Sequence, residues 1–150
     1  MKLIRFGEVG SEKPGVQLSN GNKIDVSNFG EDYTEQFFQN EGIDRLEAWL
    51  ENNQPKCDII SDDVRLGSPI CRPSKIVCIG LNYAKHAAEA GMKIPNEPVL
   101  FFKSTTAVVG PNDDVIIPKG STKTDWEVEL AVVIGKKTSY ISKEEVASHI

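Results

Sequence analysis

The sequence predicts an α+β protein rich in strand: a small α/β domain over residues 1–70, then the first part of a larger, strand-dense domain over 71–150. Three observations carry this expectation. Short apolar or alternating runs recur at 2–6, 15–19, 23–27, 75–81, 98–103, 114–118 and 125–135. Two stretches, 33–40 and 43–52, carry helical periodicity instead and divide the first three strands from the rest. Between them and the later strands, Pro69, Arg72, Pro73 and Ser74 form a loop signal where a boundary is expected.

Taken in order, the strands at 15–19 and 23–27 are joined through Asn20, Gly21 and Asn22, a hairpin signal. In the helix at 43–52, Ile43, Leu46, Trp49 and Leu50 share a face, and Asn52, Asn53 and Pro55 stop it. Val64, Leu66 and Ile70 suit another strand. Residues 75–81 read as a buried strand, followed by a helix from Asn82 to Ala90 with Asn82 as N-cap and Gly91 as the C-terminal stop. Gly110 to Asp114 reads as a turn, lacking the glycine and glutamate placement of a calcium loop. Ser142 to Glu145 is a capping-box signature opening a helix with Val146 and Ile150 on its inner face. Such a helix would have barely two turns by Ile150, and the expectation is that these residues are the front part of a longer protein.

Composition excludes several functions. Seventeen basic against 22 acidic residues give a net charge of −5, which argues against nucleic acid or an anionic membrane as the main partner. No apolar run approaches the ~18 residues of a membrane span, and the start is no signal peptide. Cys57, Cys71 and Cys78 are odd in number and lack metal-type spacing, so buried reduced thiols in a cytoplasmic protein are expected. Neither a GxGxxG nor a Walker motif is present, and a nucleotide site has no support.

Two constellations carry chemistry. In T-D-W-E-V-E-L-A-V-V-I-G-K (124–136), alternation puts Glu127 and Glu129 on one strand face, a pleat apart. Two like charges so placed repel, so that face either stays wet or is covered by something positive. A hard divalent cation is one such cover, but it needs a third carboxylate, and none in this segment is placed for it. His86 and Glu89, three apart on the helix, would meet on one face. A carboxylate beside an imidazole makes a general base, and the same spacing serves a solvated surface pair equally well. Lys103 ends an apolar strand, where it either neutralises an acidic substrate or reaches solvent.

Three blocks, I-G-L-N-Y-A-K-H-A-A-E (79–89), E-P-V-L-F-F-K-S-T-T-A (97–107) and D-W-E-V-E-L-A-V-V-I-G-K (125–136), resemble the fumarylacetoacetate hydrolase family in order and spacing. Residues 1–70 resemble the N-terminal domain of a bacterial branch that includes 2,4-diketo-3-deoxy-sugar-acid hydrolases and proteins labelled ureidoglycolate lyase. The resemblance implies a mixed β-sheet roll, a homodimer, and Glu127 and Glu129 as ligands of Mg²⁺, Mn²⁺ or Ca²⁺, completed by an Asp past Ile150. It implies His86 and Glu89 as the dyad that activates water, on a segment that orders over the site. The implied reaction is C–C bond hydrolysis of a 2,4-diketo acid, with the metal as Lewis acid and pyruvate released. The same parts also suit a 2-oxo-acid isomerase or decarboxylase working through an enolate, and a non-catalytic metal- or small-molecule-binding protein is the alternative of another class.

Overall fold

A computed structural model describes residues 1–150, which pack as two compact units. One is formed by Met1–Cys71 together with Val109–Ile150, and the other by Arg72–Val108.

The first unit is built on an antiparallel sheet of three strands, β1 (Lys2–Phe6), β2 (Lys13–Gln17) and β3 (Lys23–Asp25), in that order. The β2–β3 hairpin closes where the sequence expects it, with the Leu18 amide donating to the Asn22 carbonyl at 2.8 Å. Helix α1 (Glu35–Gln39) follows, its N-cap hydroxyl on Thr34 accepting from the Phe37 amide at 3.2 Å. Helix α2 (Gly42–Asn53) buries Gly42, Leu46 and Leu50, spaced four apart along one stripe. Gly42 is a steric requirement: a Cβ there would lie 2.4 Å from the Phe37 carbonyl oxygen and ring. At the other end the Asn53 side chain donates to the Trp49 carbonyl at 2.8 Å, and a 3-10 turn over Gln54–Lys56 containing Pro55 ends the helix. Ile43, expected on the inner face, is instead exposed, because the buried stripe runs through positions 42, 46 and 50.

The helices and sheet enclose Val16, Ile24, Val26, Tyr33, Phe37, Leu46 and Leu50. Phe37 is fully buried and meets Phe29, Tyr33 and Phe38 edge to face at centroid distances of 6.3, 5.1 and 5.1 Å. Each such large side chain contributes about 1.5–3 kcal/mol by leaving water. The Tyr33 hydroxyl is satisfied by donating to the Gly15 carbonyl at 2.7 Å, which lets this aromatic residue be almost wholly buried.

The segment after α2 runs along both sheet edges. The Asp25 amide donates to Asp58 and the Ile60 amide to Lys23, both at 2.9 Å, on the β3 side. On the β1 side the Gly7 amide donates to Arg65 at 2.9 Å and the Gly67 amide to Arg5 at 2.8 Å. Edge N–H and C=O groups that would otherwise invite another chain are thereby occupied. The strand expected around Val64 to Ile70 is reduced to an isolated bridge between Phe6 and Leu66, since pairing is made only at this crossing.

Beyond Val109 the sequence expectation and the structure differ. The turn is present: the Asp113 carboxylate accepts from the Gly110 amide at 2.6 Å. The strands expected at 114–118 and 125–135 are not formed, and Ile116, Trp126 and Leu130 are 89%, 79% and 82% exposed. Apolar patterning marks a segment able to line a sheet, but a strand needs a ladder partner, and no segment of residues 1–150 pairs with these. The capping box at Ser142 makes its backbone half, with the Ser142 amide donating to the Glu145 carboxylate at 2.8 Å. A single 3-10 turn over Val146–His149 follows in place of the expected helix.

In the second unit, β4 (Ile76–Gly80) pairs antiparallel with β5 (Val99–Lys103) in the register Ile76–Lys103 to Gly80–Val99, and helix α3 (Ala84–Glu89) lies between them in sequence. The strand at 75–81 is therefore present but not buried: Val77 and Ile79 are exposed, because a two-stranded sheet has no second layer over it within its unit. No helix of the chain is long and apolar enough to cross a membrane. The three cysteines are free and half-buried rather than buried.

Candidate active site

The route to the first candidate group starts at the end of β4. Gly80 closes the ladder opposite Val99, and Leu81 then takes a left-handed backbone conformation with φ 52°. Three residues later α3 begins, so the N-cap position falls on Tyr83 rather than on the expected Asn82, and its side chain makes no capping bond. The far end is well closed. The Gly91 amide donates to the Ala88 carbonyl at 3.1 Å and the Met92 amide to Ala87 at 2.8 Å, the paired bonds of a Schellman stop. Gly91 has φ 65°, which a residue without a Cβ adopts at no steric cost, as the sequence suggested.

His86 and Glu89 lie on α3 one turn apart, both exposed, and the only side chain α3 buries is Ala87. No hydrogen bond or ion pair joins His86 to Glu89 in this structure, so the helix presents both groups outward without using either for packing. Lys103 ends β5 exposed, and its ammonium sits 5.6 Å from the centre of the Phe101 ring, two residues back on the same strand face. After it, the Ser104 hydroxyl caps a short 3-10 turn over Thr105–Ala107, and Arg72 donates to the Thr105 hydroxyl at 2.9 Å. His86, Glu89 and Lys103 all belong to the second unit.

Glu127 and Glu129 belong to the first unit and are exposed in a segment without regular structure. Strand alternation therefore has no sheet behind it here, and the one-face placement expected from the pattern is not built. Asp125 is engaged locally, accepting from the Trp126 amide at 2.8 Å. The donors are hard carboxylate oxygens of the kind Mg²⁺, Mn²⁺ or Ca²⁺ takes. Their number falls short, since no group of three His, Cys, Asp or Glu side chains that could hold an ion converges in the chain.

Sequence reasoning missed a chain of alternating charges in the first unit. Asp32 accepts from Arg5 at 2.9 Å, Glu12 lies between Arg5 at 3.8 Å and Arg65 at 3.1 Å, and Arg65 reaches Asp113 at 2.6 Å. At Asp32 burial opposes ionisation, but the Arg5 guanidinium, the Tyr33 amide and the Cys71 thiol overcome it and hold the carboxyl below its ordinary range. Burial, and then the same carboxylate, push the Cys71 thiol up to about 11, which makes it a poor nucleophile. No local pattern signals it, since Arg5, Glu12, Asp32, Arg65 and Asp113 lie far apart along the chain.

Comparison with known proteins adds the following. Residues 75–150 match the family described as Fumarylacetoacetate (FAA) hydrolase C-terminal. The whole chain is 44% identical to a protein of Burkholderia ambifaria provisionally named a hydrolase, covering 52% of that relative's length. It is 43% identical to a similarly named protein of Burkholderia multivorans, again over all of this chain and 52% of the relative. The chain thus spans about half the length of the curated relatives it matches. Among solved structures, a Mycobacterium smegmatis protein provisionally assigned as HpcE superposes with a TM-score of 0.54 and 25% identity, over 81% of this chain and 42% of the other.

Proposed function

The chain belongs to the fumarylacetoacetate hydrolase family, and from that premise we propose that it carries part of a site that hydrolyses a C–C bond in a 2,4-diketo acid of the acylpyruvate type. The observation that carries this reading is the placement of His86 and Glu89 one turn apart on α3, exposed and free of structural duties. In this reading residues 1–70 are a small N-terminal domain, 71–150 begin the catalytic one, and the working protein is a cytoplasmic homodimer.

His86 takes a proton from water at an imidazole nitrogen, and Glu89, reached by rotation about its side-chain bonds, orients the ring and stabilises the imidazolium formed. The hydroxide equivalent attacks the distal carbonyl carbon, and the C–C bond to the pyruvate half breaks with its electron pair leaving as an enolate. His86 then returns the proton to that fragment, giving two acids. Lys103 supplies a positive charge for the substrate carboxylate. Glu127 and Glu129 contribute two carboxylates toward a divalent cation, Mg²⁺ or else Mn²⁺ or Ca²⁺, with the remaining donors supplied from outside these residues. Such a cation, when bound, supplies Lewis-acid polarisation of substrate oxygens.

Incubating the intact protein with an acylpyruvate and Mg²⁺ and identifying products tests the reading. Two carboxylic acids in equal amounts are expected. Release of CO₂ would replace it with decarboxylation, redistribution of keto and enol forms with isomerisation, and binding without turnover with a non-catalytic role.

A further inference from the structure

We infer that Leu81 is the positioning residue of α3, acting through its left-handed backbone rather than through its side chain. This rests on the reading of His86 and Glu89 given above for its catalytic consequence, though not for its structural one.

The geometry around the turn leaves little else to orient the helix. Upstream, β4 is fixed by its ladder to β5 as far as Gly80. Downstream, α3 has six residues, no side-chain cap at its N-terminus, and one buried side chain, Ala87. A helix this short has little stability of its own, so its direction is inherited from the segment that leads into it. That segment bends at Leu81, where φ is 52°. A branched apolar residue is rarely found there, because its Cβ crowds the following carbonyl. Had Leu81 taken an ordinary extended or right-handed conformation, the chain would leave the strand in another direction, and with it His86 and Glu89. A left-handed conformation at such a residue is costly, and residues of this kind gather where a site must be held in one arrangement. The side chain itself is only half-buried, so packing is not what selects Leu at this position.

Two substitutions separate a backbone role from a packing role because they predict opposite orders. Leu81→Asn keeps similar length, loses apolar character and accepts the left-handed region readily. Leu81→Val keeps apolar character and, being β-branched, resists that region strongly. Both are made in the intact protein and followed by hydrogen–deuterium exchange over residues 83–92 and by steady-state hydrolysis of an acylpyruvate.

The expected result is that Leu81→Asn leaves exchange at Ala87, Ala90 and Met92 equal to or slower than wild type and keeps kcat within about twofold. Leu81→Val speeds exchange at those amides by about tenfold and lowers kcat roughly ten- to a hundredfold with KM little changed, as misplacement of catalytic groups does. The reverse order, with Val like wild type and Asn impaired, overturns the inference. Should Leu81→Val fail to fold, faster exchange in Leu81→Asn alone still overturns it, and unchanged or slower exchange supports it. A wild type that turns over no acylpyruvate, with the exchange order as expected, rejects the proposed reaction and leaves the positioning role of Leu81 standing.

Discussion

Asp113 accepts from Arg65 twice, from Nε at 2.8 Å and from Nη2 at 2.6 Å, and so joins two residues 48 apart in sequence. The fork matches a carboxylate edge, which makes this a directional bond rather than a loose surface pair. It ties the turn at Gly110–Asp113 to the segment that covers the β1 edge, and Glu12 extends it to Arg5 and Asp32.

Asp113→Asn and Arg65→Ala should each lower the melting temperature of the intact protein by a few degrees, and the double variant should be little worse than either single one. Asp113 is held below the ordinary carboxylate range by Arg65 first and the Gly110 amide second. A depressed carboxylate contributes stability that is complete above its unfolded value of about 4 and lost as pH falls through its folded value. The gap in melting temperature between wild type and Asp113→Asn is therefore expected to be constant near neutrality and to close in acid. A gap that widens in acid contradicts this assignment.

Phe37→Ala removes the side chain around which Phe29, Tyr33 and Phe38 are arranged. A loss of about 3–5 kcal/mol is expected from lost burial and the cavity left behind. Gly42→Ala should also destabilise, because its added methyl would collide with the Phe37 carbonyl and ring. Chemical denaturation of the two variants checks both, and a Gly42→Ala variant as stable as wild type would contradict the close approach of α1 and α2.

Glu127→Gln and Glu129→Gln should each abolish or strongly weaken Mg²⁺ and Mn²⁺ binding to the intact protein. Both side chains are exposed, so the fold should be unaffected by either change. Calorimetry with each metal reads the first expectation and thermal melting without metal reads the second. Unchanged affinity in both variants removes these residues from the proposed metal site.

Residues 1–71 were more legible in the sequence than the second half of the chain, for a physical reason. Lys2–Phe6, the Asn20–Asn22 hairpin and the α2 stripe through Leu46 and Leu50 rest on local periodicity and turn chemistry, which act within a few residues. The stop at Gly91 was equally local. What local pattern does not specify is the partner. Residues 125–135 carry strand-like alternation and are not a strand in this structure, because no segment of residues 1–150 pairs with them. Likewise Asp113 was legible as part of a turn but not as the partner of Arg65, and no hydrophobic period signals a left-handed Leu81. For the candidate site, residue types and spacing named His86, Glu89, Glu127 and Glu129, while their surroundings were beyond its reach.

In the proposed reaction His86 is the base and Glu89 its orienting partner. Steady-state hydrolysis of an acylpyruvate by wild type, His86→Ala, Glu89→Gln and the double variant, each with metal affinity measured alongside, tests it most directly. The expectation is a fall in kcat of about 10²–10⁴ for His86→Ala, a smaller fall for Glu89→Gln, a double variant little worse than His86→Ala, and unchanged metal affinity throughout. Wild-type turnover in His86→Ala would contradict the account and leave the two side chains as a solvated surface pair.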